Sequence, residues 1–204
     1  MYDTKENILI TSLRLFAKEG YEAVSVSKIA AELNITKGAL YKHYKNKRDI
    51  FNSIIERMYQ MDYENAKKFE VPEEKFDKSP VSYKNTTMDK INLYSKAQFK
   101  YWTENEFASN FRKMLTLEQY KNTEMSKLYQ DYLSSGPIEY IENLFREMME
   151  KGTLKKNDPN KLAVEYYAPF YLLLNIFDIS PDKNKVFDLL SAHIKQFTER
   201  NSTK

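Results

Sequence analysis

The sequence predicts an all-α protein, in which a small N-terminal unit of three helices is joined by a connecting helix to a larger helical domain. Apolar residues recur at helical spacing along almost the whole chain, and no alternating strand pattern repeats. Only four glycines and six prolines interrupt the 204 residues. A capping residue followed by proline, which is typical of a helix start, occurs at Gly136-Pro137, Asp158-Pro159 and Ser180-Pro181.

The composition, 42% hydrophobic and 30% charged, is that of a globular protein rather than a disordered one. Cysteine is absent, which excludes disulfides and thiolate metal sites, and we expect neither a metal nor a cofactor. The N-terminus lacks the pattern of a signal peptide, and the most apolar run, residues 170–177, is too short to cross a bilayer. We therefore expect a soluble cytoplasmic protein with no membrane partner.

The first helix is predicted to start at Asp3, whose side chain can cap it, and to end at Gly20. Leu9, Leu13 and Phe16 form its buried stripe. These positions predict a helix that braces the elements following it.

Ser25 or Ser27 is predicted to cap a second short helix, and Asn34 suits the turn after it because asparagine tolerates left-handed backbone angles. Thr36 is predicted to cap a third helix over 37–44. A longer fourth helix is predicted to run to about Phe69, and a loop with two prolines to follow it over 71–88. The larger domain is predicted to contain helices over 88–103, 105–121, 123–135, 137–151, 159–178 and 182–200.

Positive charge is concentrated in one window, residues 36–48, which holds five Lys or Arg side chains and His43 but no acid. Residues 1–60 hold ten basic residues against seven acidic ones, which accounts for the whole net charge of +3. A local excess of this kind indicates a compact anionic partner, although a basic run is also typical of a solvated surface.

The second and third helices, joined by a tight turn and braced by the first, have the form of a helix-turn-helix. With Leu40 and Tyr44 facing inward, the opposite side of the third helix is left to contact double-stranded DNA. Gly38 costs about 1 kcal/mol of helix stability relative to alanine, which suggests close approach of a phosphate or base edge. The predicted DNA contacts are Ser25, Ser27, Thr36, Lys37, Gly38, Ala39, Tyr41, Lys42, His43 and Lys47.

Residues 20–51 resemble the DNA-binding signature of the TetR family of bacterial transcriptional regulators. The matching positions are Gly20-Tyr21, Ile29-Ala30, Thr36, Gly38, Tyr41, His43-Tyr44 and Lys47. The resemblance implies a helix-turn-helix DNA-binding domain over 1–46, followed over 47–204 by the connecting helix and a ligand-binding and dimerisation domain. It also implies a repressor that binds palindromic operators and is released by a small lipophilic or aromatic inducer.

The same resemblance implies a homodimer in which the last two helices of each chain form a four-helix interface. The apolar stripes of 159–178 and 182–200 agree with this, although a helix central to a monomer core would look similar. The predicted interface residues are Tyr167, Tyr171, Leu174, Phe187, Leu190 and Ile194.

The resemblance further implies a ligand pocket in the larger domain, where aromatic residues are frequent. Pockets for lipophilic ligands are lined by such residues, but an aromatic stripe at helical spacing is more often a core. The predicted ligand contacts are Tyr94, Phe99, Trp102, Phe111, Tyr129, Tyr132, Tyr166 and Phe170.

Two other classes of protein are alternatives to a ligand-responsive regulator. An enzyme is disfavoured because His43 and His193 are far apart in sequence, cysteine is absent and no glycine-rich phosphate loop occurs. A TetR-like DNA-binding interaction protein without a small-molecule switch is the alternative that remains open.

Overall fold

A computed structural model describes residues 3–203, and these residues form an all-α fold, as the sequence predicts. One isolated β-bridge joins Leu154 to Ser202. The helices are α1 (Thr4–Glu19), α2 (Val26–Glu32), α3 (Lys37–Tyr41), α4 (Lys47–Lys68), α5 (Pro80–Asn85), α6 (Met88–Glu104), α7 (Glu106–Glu118), α8 (Thr123–Leu133), α9 (Ser135–Glu150), α10 (Pro159–Ile179) and α11 (Lys183–Asn201).

The described chain divides into two compact units. The first ends at Met61 and includes Asn105–Tyr129, and the second contains Asp62–Glu104 and the residues from Gln130 onward. The helix α4 therefore begins in the first unit and ends in the second. The functional boundary after residue 46 stays a prediction, because it concerns which residues bind DNA rather than which residues pack together.

In the first unit, α1 packs against α2 and against α7. The predicted stripe of Leu9, Leu13 and Phe16 is buried. Gly20 ends α1 with a φ of +89°, and Asn34 forms the turn after α2 with a φ of +53°. These angles confirm both predictions. Glycine and asparagine occur at these positions because only a few residue types adopt positive φ angles at low cost.

In the second unit, α10 packs against α9, α11 and α6. Asp158 caps α10 as predicted, since its Oδ1 accepts hydrogen bonds from the backbone N–H groups of Asn160 and Lys161 at 3.0 and 3.1 Å. An edge-to-face contact between Phe99 and Phe170, with ring centroids 5.5 Å apart, is part of the core of this unit.

Other helix ends differ from the predictions. Asp3 precedes α1, but its side chain accepts no capping hydrogen bond. Helix α3 ends at Tyr41, three residues before the predicted end. Helix α9 begins at Ser135 rather than at Pro137, since proline is tolerated throughout the first turn.

Two further helix boundaries were mispredicted near prolines. Helix α11 begins at Lys183 because Asp182, not Ser180, supplies the capping oxygen, which accepts from Lys185 N at 3.0 Å. The predicted loop contains the short helix α5, which has Pro80 in its first turn. The error at α11 arises because Ser180 and Asp182 offered competing capping signals.

Helix α10 has the length and composition of a membrane-spanning helix, although the apolar run of residues 170–177 within it is too short by itself. Its most apolar window of 18 residues has a mean hydropathy of 1.2, and 44% of that window is buried inside the protein. Core helices of soluble proteins share these properties, so α10 is weak evidence for a membrane span.

Candidate nucleic-acid interface

The inner side of α3 is fixed by burial. Leu40 and Tyr44 are buried, and the Tyr44 hydroxyl donates a hydrogen bond to the backbone oxygen of Lys5 at 3.3 Å. Burial, reinforced by the charge of Glu6, raises the pKa of Tyr44 to about 12, so this hydroxyl keeps its proton. The rotation of α3 about its axis is therefore set by the burial of Leu40 within the helix and of Tyr44 just after it.

The two short helices are each capped by a hydroxyl side chain. Ser25 Oγ accepts from Lys28 N at 3.2 Å, and Thr36 Oγ1 accepts from Ala39 N at 3.1 Å. A hydroxyl that accepts through its oxygen still has a proton to donate. Because Ser25 and Thr36 are both exposed, each cap is free to donate to a phosphate oxygen as well.

The outer side of α3 is polar and cationic. Lys37, Gly38 and Lys42 are exposed, and Tyr41 has 50% of its surface exposed. Of the other predicted contacts, Ser27 is exposed, whereas Ala39, His43 and Lys47 are half-buried.

The five basic side chains of the window fall into two groups. Lys37, Lys42 and Lys45 form no ion pair with any residue in the described part of the chain. Lys47 Nζ donates to the backbone oxygens of Tyr21 and Glu22 at 2.8 and 3.4 Å. The first group is available to an anionic partner, and the second is used mainly to hold the fold.

Arg48 also belongs to the group that holds the fold. It pairs with Glu124, with Nη1 donating to Oε2 at 2.7 Å, and this pair links the start of α4 to α8 within the first unit. The ammonium of Lys47 lies 4.2 Å from the Tyr21 ring centroid. A lysine ammonium has three donors, so Lys47 retains one N–H for a phosphate.

The arrangement suits the major groove of DNA. A face with two free lysines, a phenol and capping hydroxyls offers donors to phosphate oxygens and a ring for a thymine methyl. It contains none of the Arg, Asn or Gln side chains that best discriminate bases. This surface can therefore position a duplex more strongly than it reads its sequence.

Some predicted dimer residues lie inside the subunit. Tyr167, Leu174, Leu190 and Ile194 are buried within the second unit, and Leu190 has no exposed surface. Burial within the single chain leaves these four side chains little surface for a partner, and their place in a dimer interface stays a prediction. Tyr171 and Phe187 are half-buried and remain predicted interface residues. The exposed apolar side chains of the same two helices are Val164, Leu172, Ile176, Ile179 and Leu189.

The predicted ligand contacts are divided between the two units. Phe111 and Tyr129 belong to the first unit, and the other six belong to the second. Phe99 and Phe111 have no exposed surface, so both act as packing residues here. The Tyr166 hydroxyl donates to Ser95 Oγ at 3.0 Å. Ligand binding by these residues stays a prediction for Tyr94, Phe99, Trp102, Phe111, Tyr129, Tyr132, Tyr166 and Phe170.

A groove of about 440 Å³ opens between α6 and α11 in the second unit. None of the predicted ligand contacts lines it, and its walls include Asn92, Lys96, Lys195 and Thr198. Within residues 3–203, no group of three or more His, Asp or Glu side chains could hold a metal ion.

A half-buried acid on α4 was not predicted as a functional residue. Ile54, Met58 and Ala66 are buried at multiples of four residues along one side of the helix, and Asp62 lies between the last two of them. The sequence alone could have identified this residue, because an acid at an apolar position of an amphipathic helix is unusual.

Comparison with known proteins agrees with this geometry. Residues 8–54 match the family model described as bacterial regulatory proteins, tetR family. The HTH-type regulator YerO of Bacillus subtilis is 41% identical over 70 residues, 34% of this chain and 24% of that protein. AcrR of Shigella flexneri is 41% identical over 54 residues, 26% of this chain and 25% of that protein. The chain thus matches only about a quarter of the length of these relatives.

The similarity of fold extends further than the similarity of sequence. SmeT, the repressor of the SmeDEF multidrug efflux pump of Stenotrophomonas maltophilia, aligns with a TM-score of 0.66 at 19% identity. The alignment covers 99% of this chain and 92% of SmeT. SmeT has also been solved in complex with triclosan.

The fold and the exposed face of α3 have the form of a helix-turn-helix protein. Over residues 8–54 the chain is similar to the tetR family of bacterial regulatory proteins.

Proposed function

We propose that this protein is a cytoplasmic transcriptional repressor that binds palindromic operator DNA as a homodimer and is released by a small lipophilic or aromatic molecule. The observation that carries the proposal is the exposed face of α3, where Lys37, Gly38, Tyr41 and Lys42 lie together while Leu40 is buried beneath them. The complex of SmeT, a protein of the same fold, with triclosan supports the proposal that a small molecule binds this protein.

DNA binding is tested by fluorescence anisotropy with duplexes from the region upstream of the protein's own gene. We expect tight, salt-sensitive binding to a palindrome and weaker binding to a scrambled duplex of equal length. Equal affinity for both duplexes at every salt concentration would contradict operator recognition.

Release by a small molecule is tested by adding a panel of lipophilic compounds to the protein–DNA complex. A DNA-binding protein without a small-molecule switch, which is the alternative, would be released by none of them.

Replacing Lys42 with alanine should reduce the salt dependence of operator binding. Removing one lysine that neutralises a phosphate lowers the slope of log K against log salt by about 0.9, because fewer counterions are released on binding. The measurement is a titration of the operator across a series of salt concentrations. Lys156→Ala is the matched control, since Lys156 is an exposed lysine in the second unit and its removal makes the same change in net charge. Equal slopes for both variants would remove Lys42 from the interface.

Replacing Leu172 with glutamate should convert the dimer to monomers. Leu172 has 58% of its surface exposed on α10, in line with Val164 and Ile176 at multiples of four residues. A charge placed there would be desolvated in a four-helix interface, which costs more than the contact gains. Light scattering coupled to gel filtration measures the mass. Leu93→Glu, on α6, is the control because Leu93 is similarly exposed. A monomeric native protein would refute the proposed assembly.

Release by an inducer is proposed to act through α4. This helix is continuous from Lys47 to Lys68, and it carries Lys47 and Arg48 at the end next to the DNA-binding elements. A ligand that shifts its C-terminal half can therefore move its N-terminal half and change the spacing of the two recognition helices of a dimer. The coupling required is modest, about 1–3 kcal/mol.

A further inference from the structure

A carboxylate lies inside the second unit without a cationic partner. Gln98 Nε2 on α6 donates a hydrogen bond to Asp62 Oδ1 on α4 at 3.0 Å, and the same nitrogen contacts the Tyr94 hydroxyl. In the described part of the chain, no Lys, Arg or His side chain forms an ion pair with Asp62. Burial raises the pKa of Asp62 despite the opposing hydrogen bond from Gln98, so its negative charge is poorly compensated.

The polar groups around Asp62 are also incompletely paired. Gln98 is only 8% exposed, and its Oε1 has no hydrogen-bond partner. That oxygen belongs to the same amide as the nitrogen that binds Asp62, so it lies beside the carboxylate. The Nδ2 of Asn65, one turn further along α4, is buried and unpaired as well. Buried polar atoms are normally paired, so these two atoms offer hydrogen-bonding capacity that the described residues do not use.

An aromatic ring packs against Tyr94, whose hydroxyl contacts the same Gln98 nitrogen as Asp62 does. The ring of Phe69 lies 6.0 Å from that of Tyr94, and the ring of Tyr140 lies 5.5 Å from that of Tyr83. Burial is the main cause that raises the pKa of Tyr94 and of Tyr140, and the charge of Asp62 adds to it in both cases. Both phenols are therefore close enough to Asp62 to feel its charge.

The Tyr140 ring is held in place by a hydrogen bond from its hydroxyl to the backbone oxygen of Pro72 at 3.1 Å. Asp62, Tyr94 and Tyr140 nevertheless keep part of their surface accessible. These side chains therefore lie at the edge of the core of the second unit, where another molecule can reach them, and we refer to this place as the recess. It brings together one acid, one unpaired amide oxygen and several aromatic rings.

We propose that this recess binds a protonated organic amine with an apolar body. The Asp62 carboxylate neutralises the ammonium charge, Gln98 Oε1 accepts one of its N–H groups, and the rings of Tyr94, Tyr140 and Phe69 cover the apolar part. An anionic ligand would be repelled by Asp62. A neutral ligand would leave the carboxylate uncompensated, and a quaternary ammonium would leave the amide oxygen unpaired.

The inference rests on the proposed regulatory function, because it names the chemical class of the molecule that the larger domain senses. It restricts the proposed inducer from any lipophilic or aromatic molecule to one that carries a positive charge. The position of Asp62 on α4 also explains why this helix is the one through which the ligand acts.

The test compares two probes of equal size, 1-naphthylmethylamine and 1-naphthalenemethanol, by isothermal titration calorimetry. The amine is protonated at neutral pH and the alcohol is not. We expect the native protein to bind the amine at least about tenfold more tightly than the alcohol. We expect Asp62→Asn to abolish this preference while its affinity for the alcohol stays unchanged.

Asp188→Asn is the matched control, because Asp188 is exposed on α11 of the same unit, and it should keep the preference for the amine. A native protein that binds both probes equally or neither, or an Asp62→Asn variant that keeps the preference, would overturn the proposal. Thermal unfolding of Asp62→Asn, expected at a higher temperature than native because a desolvated charge without a cationic partner is removed, verifies that the variant is folded.

Operator binding measured without any probe distinguishes a failure of the proposed regulatory function from a failure of the proposed amine site. Native protein and the Asp188→Asn control should bind the operator equally, and the amine should weaken both complexes but not that of Asp62→Asn. Failure of the native protein to bind DNA would refute the regulatory function but would leave the proposed amine site standing. Intact DNA binding without amine binding would refute only the site.

Discussion

Replacing Gly38 with alanine should lower operator affinity at least tenfold, about 1.4 kcal/mol, while leaving the free protein as stable as before or more stable. In the free subunit, a Cβ at Gly38 would meet only Thr36 Oγ1, at an ordinary contact distance of 3.8 Å. Alanine is a better helix former than glycine by up to about 1 kcal/mol. Nothing in the subunit therefore requires glycine at this position.

The reason for glycine then lies outside the subunit. Gly38 is exposed in the first turn of α3, between Lys37 and the half-buried Ala39. If the backbone approaches a phosphate or base edge here, an added methyl group holds the whole helix away from the groove. Several interactions with DNA weaken together, so the effect exceeds that of removing one side chain.

Two measurements separate binding from folding in this variant. Anisotropy titrations give the operator affinity, and thermal unfolding followed by circular dichroism gives stability. Gly38→Ser, with a slightly larger side chain, should bind more weakly still. Native-like affinity of Gly38→Ala would show that DNA does not approach this backbone, and a large drop in melting temperature would show that the glycine serves the fold.

Replacing Gly20 with alanine should destabilise the protein by about 2–5 kcal/mol, from backbone strain and from a buried group left unpaired. Gly20 has φ +89° and ψ 150°, a region that is essentially limited to glycine. A Cβ there would lie 2.5 Å from Glu118 Oε1. Glu118 is buried on α7, and this oxygen accepts the backbone N–H of Tyr21 at 3.1 Å.

The added methyl group therefore displaces the acceptor of a buried hydrogen bond. Tyr21 itself packs against Phe16 and Phe51, with ring centroids 5.1 and 4.9 Å away, and its backbone oxygen binds Lys47. Movement of Tyr21 would disturb the junction of α1, α2 and α4. Since typical domains are stable by only about 5–15 kcal/mol, urea unfolding should detect the destabilisation readily.

Gly152→Ala provides the matched control for backbone strain. Gly152 has φ +72°, but a Cβ there would meet nothing within 4 Å. This substitution should cost only the left-handed conformation, about 1–2 kcal/mol. If both variants are destabilised equally, Glu118 moves aside freely and its hydrogen bond to Tyr21 contributes little.

Features that depend on one or two neighbouring residues were predictable from the sequence. Gly20 and Asn34 adopt positive φ angles and Asp158 caps α10, as expected. At these positions the conformation that the residue type prefers is the one that it adopts in the fold. The boundaries failed where two candidate caps competed, as at Ser180 and Asp182. Local energies of similar size cannot decide between such neighbours.

The roles of the basic side chains needed the structure. Lys42 and Lys47 are equivalent in sequence terms, but Lys47 donates to two backbone oxygens while Lys42 is exposed without an ion-pair partner in the described residues. A charge pattern shows how many cations lie in a window. Only the path of the surrounding backbone shows which of them are already bound.

By itself the sequence determined the helical class, the cap of α3 at Thr36 and the inward side of α3, because helical periodicity and capping act within a few residues. The structure decided that Ser25 rather than Ser27 caps α2. The tertiary structure decided that Leu190 is buried while Leu189 is exposed, and that Asp62 meets Gln98 from another helix. An apolar stripe predicts that a helix face is buried, but it does not specify which part of the protein buries it. Which partner covers it depends on contacts between residues far apart in the chain.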